Sequence, residues 1–184
     1  MNLPNKLTML RILMIPLFVV FALIQRQWAQ YLALLIYVLA CLTDLLDGKI
    51  ARSRHLVTNF GKFADPIADK LLVMAALVVL VETGRMPSWI CIVMLAREFI
   101  ISGFRLVAAG NGTVIAAGML GKLKTVFQMS ATIALMLLVP VEGGGLLGKF
   151  GIVLANILMY IAAVLTIVSG AEYILKNKDC ISDM

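Results

Sequence analysis

The stretch of sequence that decides the fold reads Asp44-Leu-Leu-Asp47-Gly48-Lys-Ile-Ala51-Arg52, then eight residues, then Gly61-Lys-Phe-Ala-Asp65-Pro-Ile-Ala-Asp69. Four of the ten acidic residues lie in it, and apolar runs of helix length flank it on both sides. On helices, Asp44 would share a face with Asp47, and Asp65 with Asp69, because the members of each pair are three or four residues apart. Carboxylates in or near a bilayer are costly and usually functional. The two faces together would form a cluster of four carboxylates, for which hard divalent cations are the usual counter-charge.

The composition of the whole chain is that of a membrane protein. Of its 184 residues, 62% are hydrophobic and 14% are charged, and the mean hydropathy is +1.01. A soluble domain is closer to half apolar and one quarter charged. The net charge of +6 would suit nucleic acid, but the basic residues border apolar segments, which favours anionic lipid headgroups and no nucleic-acid partner. We therefore predict a single integral-membrane domain over residues 1–184.

The apolar runs predict an all-α membrane protein with six transmembrane helices and a short N-terminal amphipathic segment. That segment, Asn2 to Arg11, carries leucines at helical spacing and is predicted to lie in the membrane interface before the chain turns inward. The spans are predicted at about residues 12–25, 31–54, 61–81, 88–109, 118–139 and 147–175, and the amphipathic segment is predicted to extend the first of them at its N-terminal side. Glycine and proline content predicts a turn at Glu82–Pro87, between the third and fourth spans.

The distribution of basic residues predicts the orientation. With six spans both termini lie on one side, and thirteen of the sixteen lysines and arginines fall on or near that side. Such a bias is typical of the cytoplasmic side. The termini and the acidic stretch are therefore predicted to be cytoplasmic, in the plasma membrane of a bacterial-type cell, within reach of water-soluble substrates.

Small and basic residues among the acids point to phosphoryl chemistry, in which a metal pair clamps phosphate oxygens. Gly48 would let a ligand approach the helix backbone closely, Ala51 is small on the adjacent turn, and Arg52 can form a fork of hydrogen bonds to phosphate. Asp69 could accept a proton from an incoming hydroxyl. The structural alternative is that the aspartates only pair at a helix-end interface with the neighbouring basic residues Arg52, Arg54, Lys62 and Lys70.

The acidic stretch resembles the signature of the CDP-alcohol phosphatidyltransferase family, with all eight motif residues present at the family spacing. Members are six-helix membrane enzymes, generally homodimers, that transfer a phosphatidyl or related group from a CDP-linked donor to an alcohol and release CMP. The resemblance therefore implies the CDP-alcohol phosphotransferase fold and a homodimer in the lipid bilayer.

The same resemblance assigns roles to the motif residues. It implies two divalent cations, usually Mg²⁺ with Mn²⁺ as the alternative, bound by Asp44, Asp47, Asp65 and Asp69. Asp44 and Asp65 would be shared between the ions, and Asp69 would also be the general base. Contacts to the CDP moiety of CDP-diacylglycerol are implied for Gly48, Ala51 and Arg52, and by a weaker correspondence for Thr58, which stands where some relatives use a hydroxyl residue.

The acceptor alcohol has to be inferred from other segments. Asn2–Arg11, Phe63–Lys70, Ala96–Arg105 and Gly121–Thr125 resemble the phosphatidylglycerophosphate synthase branch of the family, which implies glycerol 3-phosphate as acceptor. Arg97, Arg105 and Lys122 would then bind the acceptor phosphate.

Several alternatives stay open from the sequence. Arg97 could instead pair structurally with Glu98, and Lys124, which is two residues from Lys122 and on another helix face, is predicted to be structural. Inositol phosphate, serine or phosphatidylglycerol could replace glycerol 3-phosphate as acceptor. A small cation transporter would also use an acidic cluster, although no inverted repeat relates the two halves.

Overall fold

A computed structural model of the chain describes residues 3–53, 59–110, 115, 118–138 and 145–177, without the side chains of residues 3–4, 44–53, 59–66 and 145–148. Within these ranges every regular element is an α-helix, as predicted. The six helices are α1 (Leu3–Leu23), α2 (Gln27–Ser53), α3 (Asn59–Glu82), α4 (Ser88–Gly110), α5 (Met119–Leu138) and α6 (Gly145–Lys176).

The predicted and observed helices agree to within a few residues. At the start of the chain the amphipathic segment extends the first apolar run, as predicted, and both belong to α1, which passes through Pro16 without interruption. Asn5, Thr8 and Arg11 of this segment are buried. The segment therefore forms the first turns of a packed helix, in which Asn5, Thr8 and Arg11 face the inside of the protein and Lys6 is exposed.

The turn between α3 and α4 is built as its glycine and proline content predicts. Gly84 has φ of 69°, a left-handed conformation that costs glycine no steric strain. Its N–H donates to Val81 O, and the N–H of Arg85 donates to Leu80 O at 2.8 Å. These two bonds form a Schellman motif that satisfies the last carbonyls of α3. Pro87 follows and precedes the first residue of α4.

Two of the described helices are long and apolar enough to cross a membrane by length and composition, with spans at Asn5–Leu23 and Lys149–Lys176. Large apolar side chains are also exposed along other helices, including Leu35, Ile92 and Leu106. Six complete spans stay a prediction.

The chain forms two compact units. The first contains α1, α2 and α3, and α1 packs against both of the others. Small side chains such as Ala33, Ala40 and Ala76 are fully buried and allow close approach of helices. Phe18 of α1 contacts Tyr37 of α2 with ring centroids 5.6 Å apart. The prediction of one domain over residues 1–184 is not tested by this division.

The second unit contains α4, α6 and most of α5, and α4 packs against α6. Phe104 of α4 meets Tyr173 of α6 edge to face, with ring centroids 5.7 Å apart. This unit also buries many polar side chains for so apolar a protein: Lys124, Gln128, Thr132, Thr166 and Ser169. Polar groups inside membrane proteins are costly and usually functional, so this interior is a candidate site.

Candidate active site

The acidic stretch lies on two helices, as its spacing requires. Asp44 and Asp47 are in the last three turns of α2, together with Gly48, Ala51 and Arg52. Asp65 and Asp69 are in the first three turns of α3. Each aspartate pair therefore shares one face of a helix. Thr58 lies outside the described residues.

Of the four aspartates, only Asp69 has a described side chain. It is exposed on α3 and takes part in an interaction, while its neighbour Ala68 is fully buried. Among the described side chains no group of three or more potential metal ligands occurs. Because three of the four carboxylates are outside that set, the metal cluster stays a prediction. The donor set itself fits divalent cations such as Mg²⁺, which prefer carboxylate oxygens.

In the second unit, one carboxylate is shared by two cations. Oε1 of Glu98 lies 3.3 Å from Nη1 of Arg97 and also accepts a short hydrogen bond from Nζ of Lys124. The Lys124 side chain is only 2% exposed, whereas that of Glu98 is 24% exposed. Burial of the ammonium group demands a paired acid. Arg97 therefore pairs with Glu98, as one of the open alternatives predicts. Lys124 is buried in the same ion-pair cluster, which agrees with its predicted structural role.

The side chain of Arg97 is also held between α5 and α6. Its Nη2 donates to Oγ of Ser169 at 3.3 Å. A Cβ at Gly121 would lie 3.2 Å from Nη2 of Arg97, and a Cβ at Gly170 would lie 3.2 Å from its Cγ. Glycine at these two positions therefore lets the arginine pass close to both helices. Within the described structure, Nε of Arg97 is buried and has no hydrogen-bond partner.

Arg105 contacts the same helix one turn further along. Its Nε donates to the hydroxyl of Tyr173 at 3.2 Å, and its guanidinium carbon lies 5.4 Å from the centre of the tyrosine ring. Ser169 and Tyr173 are four residues apart, so α6 presents both hydroxyls on one face. The side chains of Arg97 and Arg105 therefore both contact α6.

Lys122 and Lys124 lie on different faces of α5, as predicted from their spacing. Lys122 is exposed, and Lys124 is buried. Arg97, Lys124 and Glu98 together carry one net positive charge, and Arg105 and Lys122 add two more in the same unit. A site of this kind can bind an anion, and guanidinium groups are well suited to phosphate.

Sequence reasoning missed several polar residues of this unit. Gln128, Ser169 and Tyr173 are not among the predicted site residues, whereas Lys124, which is predicted to be structural, is buried in an ion pair with Glu98. The helical spacing did contain a signal, because Lys124 and Gln128 are four residues apart on α5, as are Ser169 and Tyr173 on α6. Such polar pairs on apolar helices indicate an inward face.

Comparison with known proteins identifies the family to which the chain belongs. Residues 1–168 match the CDP-alcohol phosphatidyltransferase family. A Bacillus subtilis protein named CDP-diacylglycerol–glycerol-3-phosphate 3-phosphatidyltransferase is 44% identical, with 96% of this chain and 95% of that protein aligned. Proteins of the same name from Rickettsia typhi (41% identical, 94% of each chain) and Haemophilus influenzae (38% identical, 99% of this chain and 96% of that protein) are also similar. On this full-length similarity, and with the acidic motif on two helices, the chain belongs to the CDP-alcohol phosphatidyltransferase family.

Proposed function

We propose that this protein transfers the phosphatidyl group of CDP-diacylglycerol to sn-glycerol 3-phosphate, forming phosphatidylglycerol phosphate and CMP. The observation that carries the proposal is that relatives named for this activity align over at least 94% of the chain. The motif that handles the CDP-linked donor and the basic residues that suit a phosphorylated acceptor are both present. The protein is then an enzyme of phospholipid biosynthesis.

The acidic stretch would bind the donor. Asp44, Asp47, Asp65 and Asp69 would hold two divalent cations, with Asp44 and Asp65 shared. When bound, such ions supply charge stabilisation to the phosphate oxygens. Gly48 and Ala51 would contact the CDP moiety, since residues this small let a ligand approach the helix closely.

The remaining motif residues would contact the same donor. Arg52 would contribute a charged donor to its phosphate, and Thr58 a hydroxyl.

Asp69 would act as the general base. Its side chain is exposed, which suits contact with a water-soluble acceptor. The carboxylate takes the proton from the primary hydroxyl of glycerol 3-phosphate, and that oxygen bonds to the phosphorus attached to diacylglycerol. The bond from this phosphorus to the oxygen of CMP breaks, and CMP leaves with the electron pair.

The acceptor phosphate would bind to Arg97, Arg105 and Lys122. Support comes from the net positive charge of the second unit and from the buried Nε–H of Arg97, which has no hydrogen-bond partner in the described structure. Glu98 and Ser169 hold the two other nitrogens of Arg97, so its free donor has a fixed direction. A preorganised guanidinium loses less entropy when it binds phosphate.

We further propose a multi-pass location with six spans in a bacterial plasma membrane, cytoplasmic termini and active site, and a homodimer. The asymmetry of basic residues supports the orientation, and the exposed apolar side chains support contact with lipid. The dimer rests on family membership alone.

An acceptor competition assay tests the activity. Purified protein with CDP-diacylglycerol and Mg²⁺ is given glycerol 3-phosphate, inositol phosphate, serine or phosphatidylglycerol, and CMP release and lipid product are measured. Glycerol 3-phosphate should give the highest kcat/KM, and EDTA should abolish release. Preference for another acceptor would refute the proposed substrate, and release unaffected by EDTA would refute the metal site.

A further inference from the structure

Gln128 of α5 is a buried polar side chain that no part of the proposed mechanism uses. It is 2% exposed, and both its amide nitrogen and its amide oxygen lack a hydrogen-bond partner within the described structure. An unpaired buried polar group costs about 1–3 kcal/mol. Native proteins rarely tolerate two such atoms in one side chain unless something else binds them.

The surroundings of Gln128 indicate which kind of ligand would bind its amide. Lys124 lies one helical turn earlier on the same face of α5, with Cβ atoms about 5–6 Å apart at this spacing. Lys124 is joined through Glu98 to Arg97, so the amide is next to the cationic cluster of the second unit. That cluster has an excess positive charge and would take a phosphate, whereas a neutral amide would not.

An amide offers one hydrogen-bond donor group and one acceptor, which is the complement of a hydroxyl. A ligand with a phosphate for the cluster and a hydroxyl a few bonds away would satisfy both. We infer that Gln128 is a specificity-determining residue that binds the secondary hydroxyl of the polyol phosphate acceptor. This inference rests on the proposed function and extends it from the acceptor phosphate to the acceptor carbon chain.

The test is a double-mutant-type cycle that combines a substitution at Gln128 with removal of one hydroxyl from the acceptor. Wild-type protein and Gln128→Leu are assayed with glycerol 3-phosphate and with propane-1,3-diol monophosphate, which has the same phosphate and primary hydroxyl but lacks the secondary hydroxyl. For the wild type, kcat/KM should be about tenfold or more higher with glycerol 3-phosphate, because the analogue leaves the amide unpaired. In Gln128→Leu this preference should fall to about threefold or less, through a loss confined to glycerol 3-phosphate.

Ser130→Ala is the control, since Ser130 is two residues from Gln128 on another face of α5 and is exposed. It should keep the wild-type preference. Gln128→Asn, which retains an amide, provides a second variant if Gln128→Leu unfolds in detergent. Its preference for glycerol 3-phosphate over the analogue should lie between those of the wild type and Gln128→Leu.

Equal losses with both acceptors, as expected if Gln128 holds only structural water, would overturn the inference alone. So would a wild type that does not distinguish the two acceptors. A wild type inactive with both but active with another alcohol would overturn the proposed function and this inference together.

Discussion

Replacing Gly170 with alanine should weaken acceptor binding by displacing the side chain of Arg97. The new Cβ would lie 3.2 Å from Cγ of Arg97, whereas carbon atoms rest about 3.5–4.0 Å apart. The arginine stem must therefore shift by a few tenths of an ångström. Its Nη1 and Nη2 are already 3.3 Å from Glu98 and Ser169, beyond the usual range of about 2.7–3.2 Å. A further shift would weaken these hydrogen bonds and misdirect the free Nε–H.

Two opposing effects set the magnitude. Alanine in place of a helical glycine stabilises by about 0.5–1 kcal/mol, and overpacking a buried contact costs about 1–3 kcal/mol. We expect a net destabilisation of about 1 kcal/mol. If a similar free energy is lost from acceptor binding, KM for glycerol 3-phosphate rises about fivefold.

The assay compares Gly170→Ala with Gly103→Ala, for which a Cβ would meet no atom within 4 Å. Thermal unfolding in detergent and KM for both substrates are measured for each variant. Gly103→Ala should be as stable as the wild type or slightly more so, with both KM values unchanged. Gly170→Ala should raise KM for glycerol 3-phosphate and leave KM for CDP-diacylglycerol unaffected. If the two variants bind glycerol 3-phosphate equally well, Arg97 does not bind the acceptor.

Three further perturbations address other parts of the site. Glu98→Gln removes the carboxylate that Lys124 shares with Arg97. We expect the free energy of unfolding to fall by about 3 kcal/mol, which is the low end for a broken buried ion pair because Glu98 is partly exposed. Adding Lys124→Met should restore part of that loss in thermal unfolding, and no restoration would show that the ammonium tolerates burial alone. Tyr173→Phe deletes the hydroxyl that accepts a hydrogen bond from Arg105 but keeps the ring. The loss of about 1 kcal/mol of binding free energy should raise KM for glycerol 3-phosphate about fivefold. An unchanged KM would contradict a role for Arg105 in binding the acceptor. Asp69→Asn should lower kcat at least about a hundredfold while CDP-diacylglycerol still binds, and near-normal turnover would exclude Asp69 as the base.

The helices could be predicted from the sequence because apolar run length and Gly/Pro punctuation are local properties. The turn at Gly84 is an example, since glycine alone accepts its positive φ without strain. The placement of Asp44 and Asp65 on helices likewise followed from motif spacing and flanking apolar runs. The burial of Thr8 and Arg11 in the N-terminal segment could not be predicted, because it depends on packing against other helices, which no local pattern reports.

The amino-acid sequence by itself determined the membrane class, the helical architecture, the acidic motif and, through that motif, the type of reaction. These depend on composition and on spacing along single helices. Only the tertiary structure decided that Arg97 lies between Gly121 and Gly170 and that Lys124 is buried on Glu98. It also decided that the buried amide of Gln128 has no hydrogen-bond partner among the residues that the structure describes. These facts depend on which helices are in contact and on how far they are shifted along their axes. The burial and pairing of a charged side chain are set by the residues packed around it and not by the residue itself.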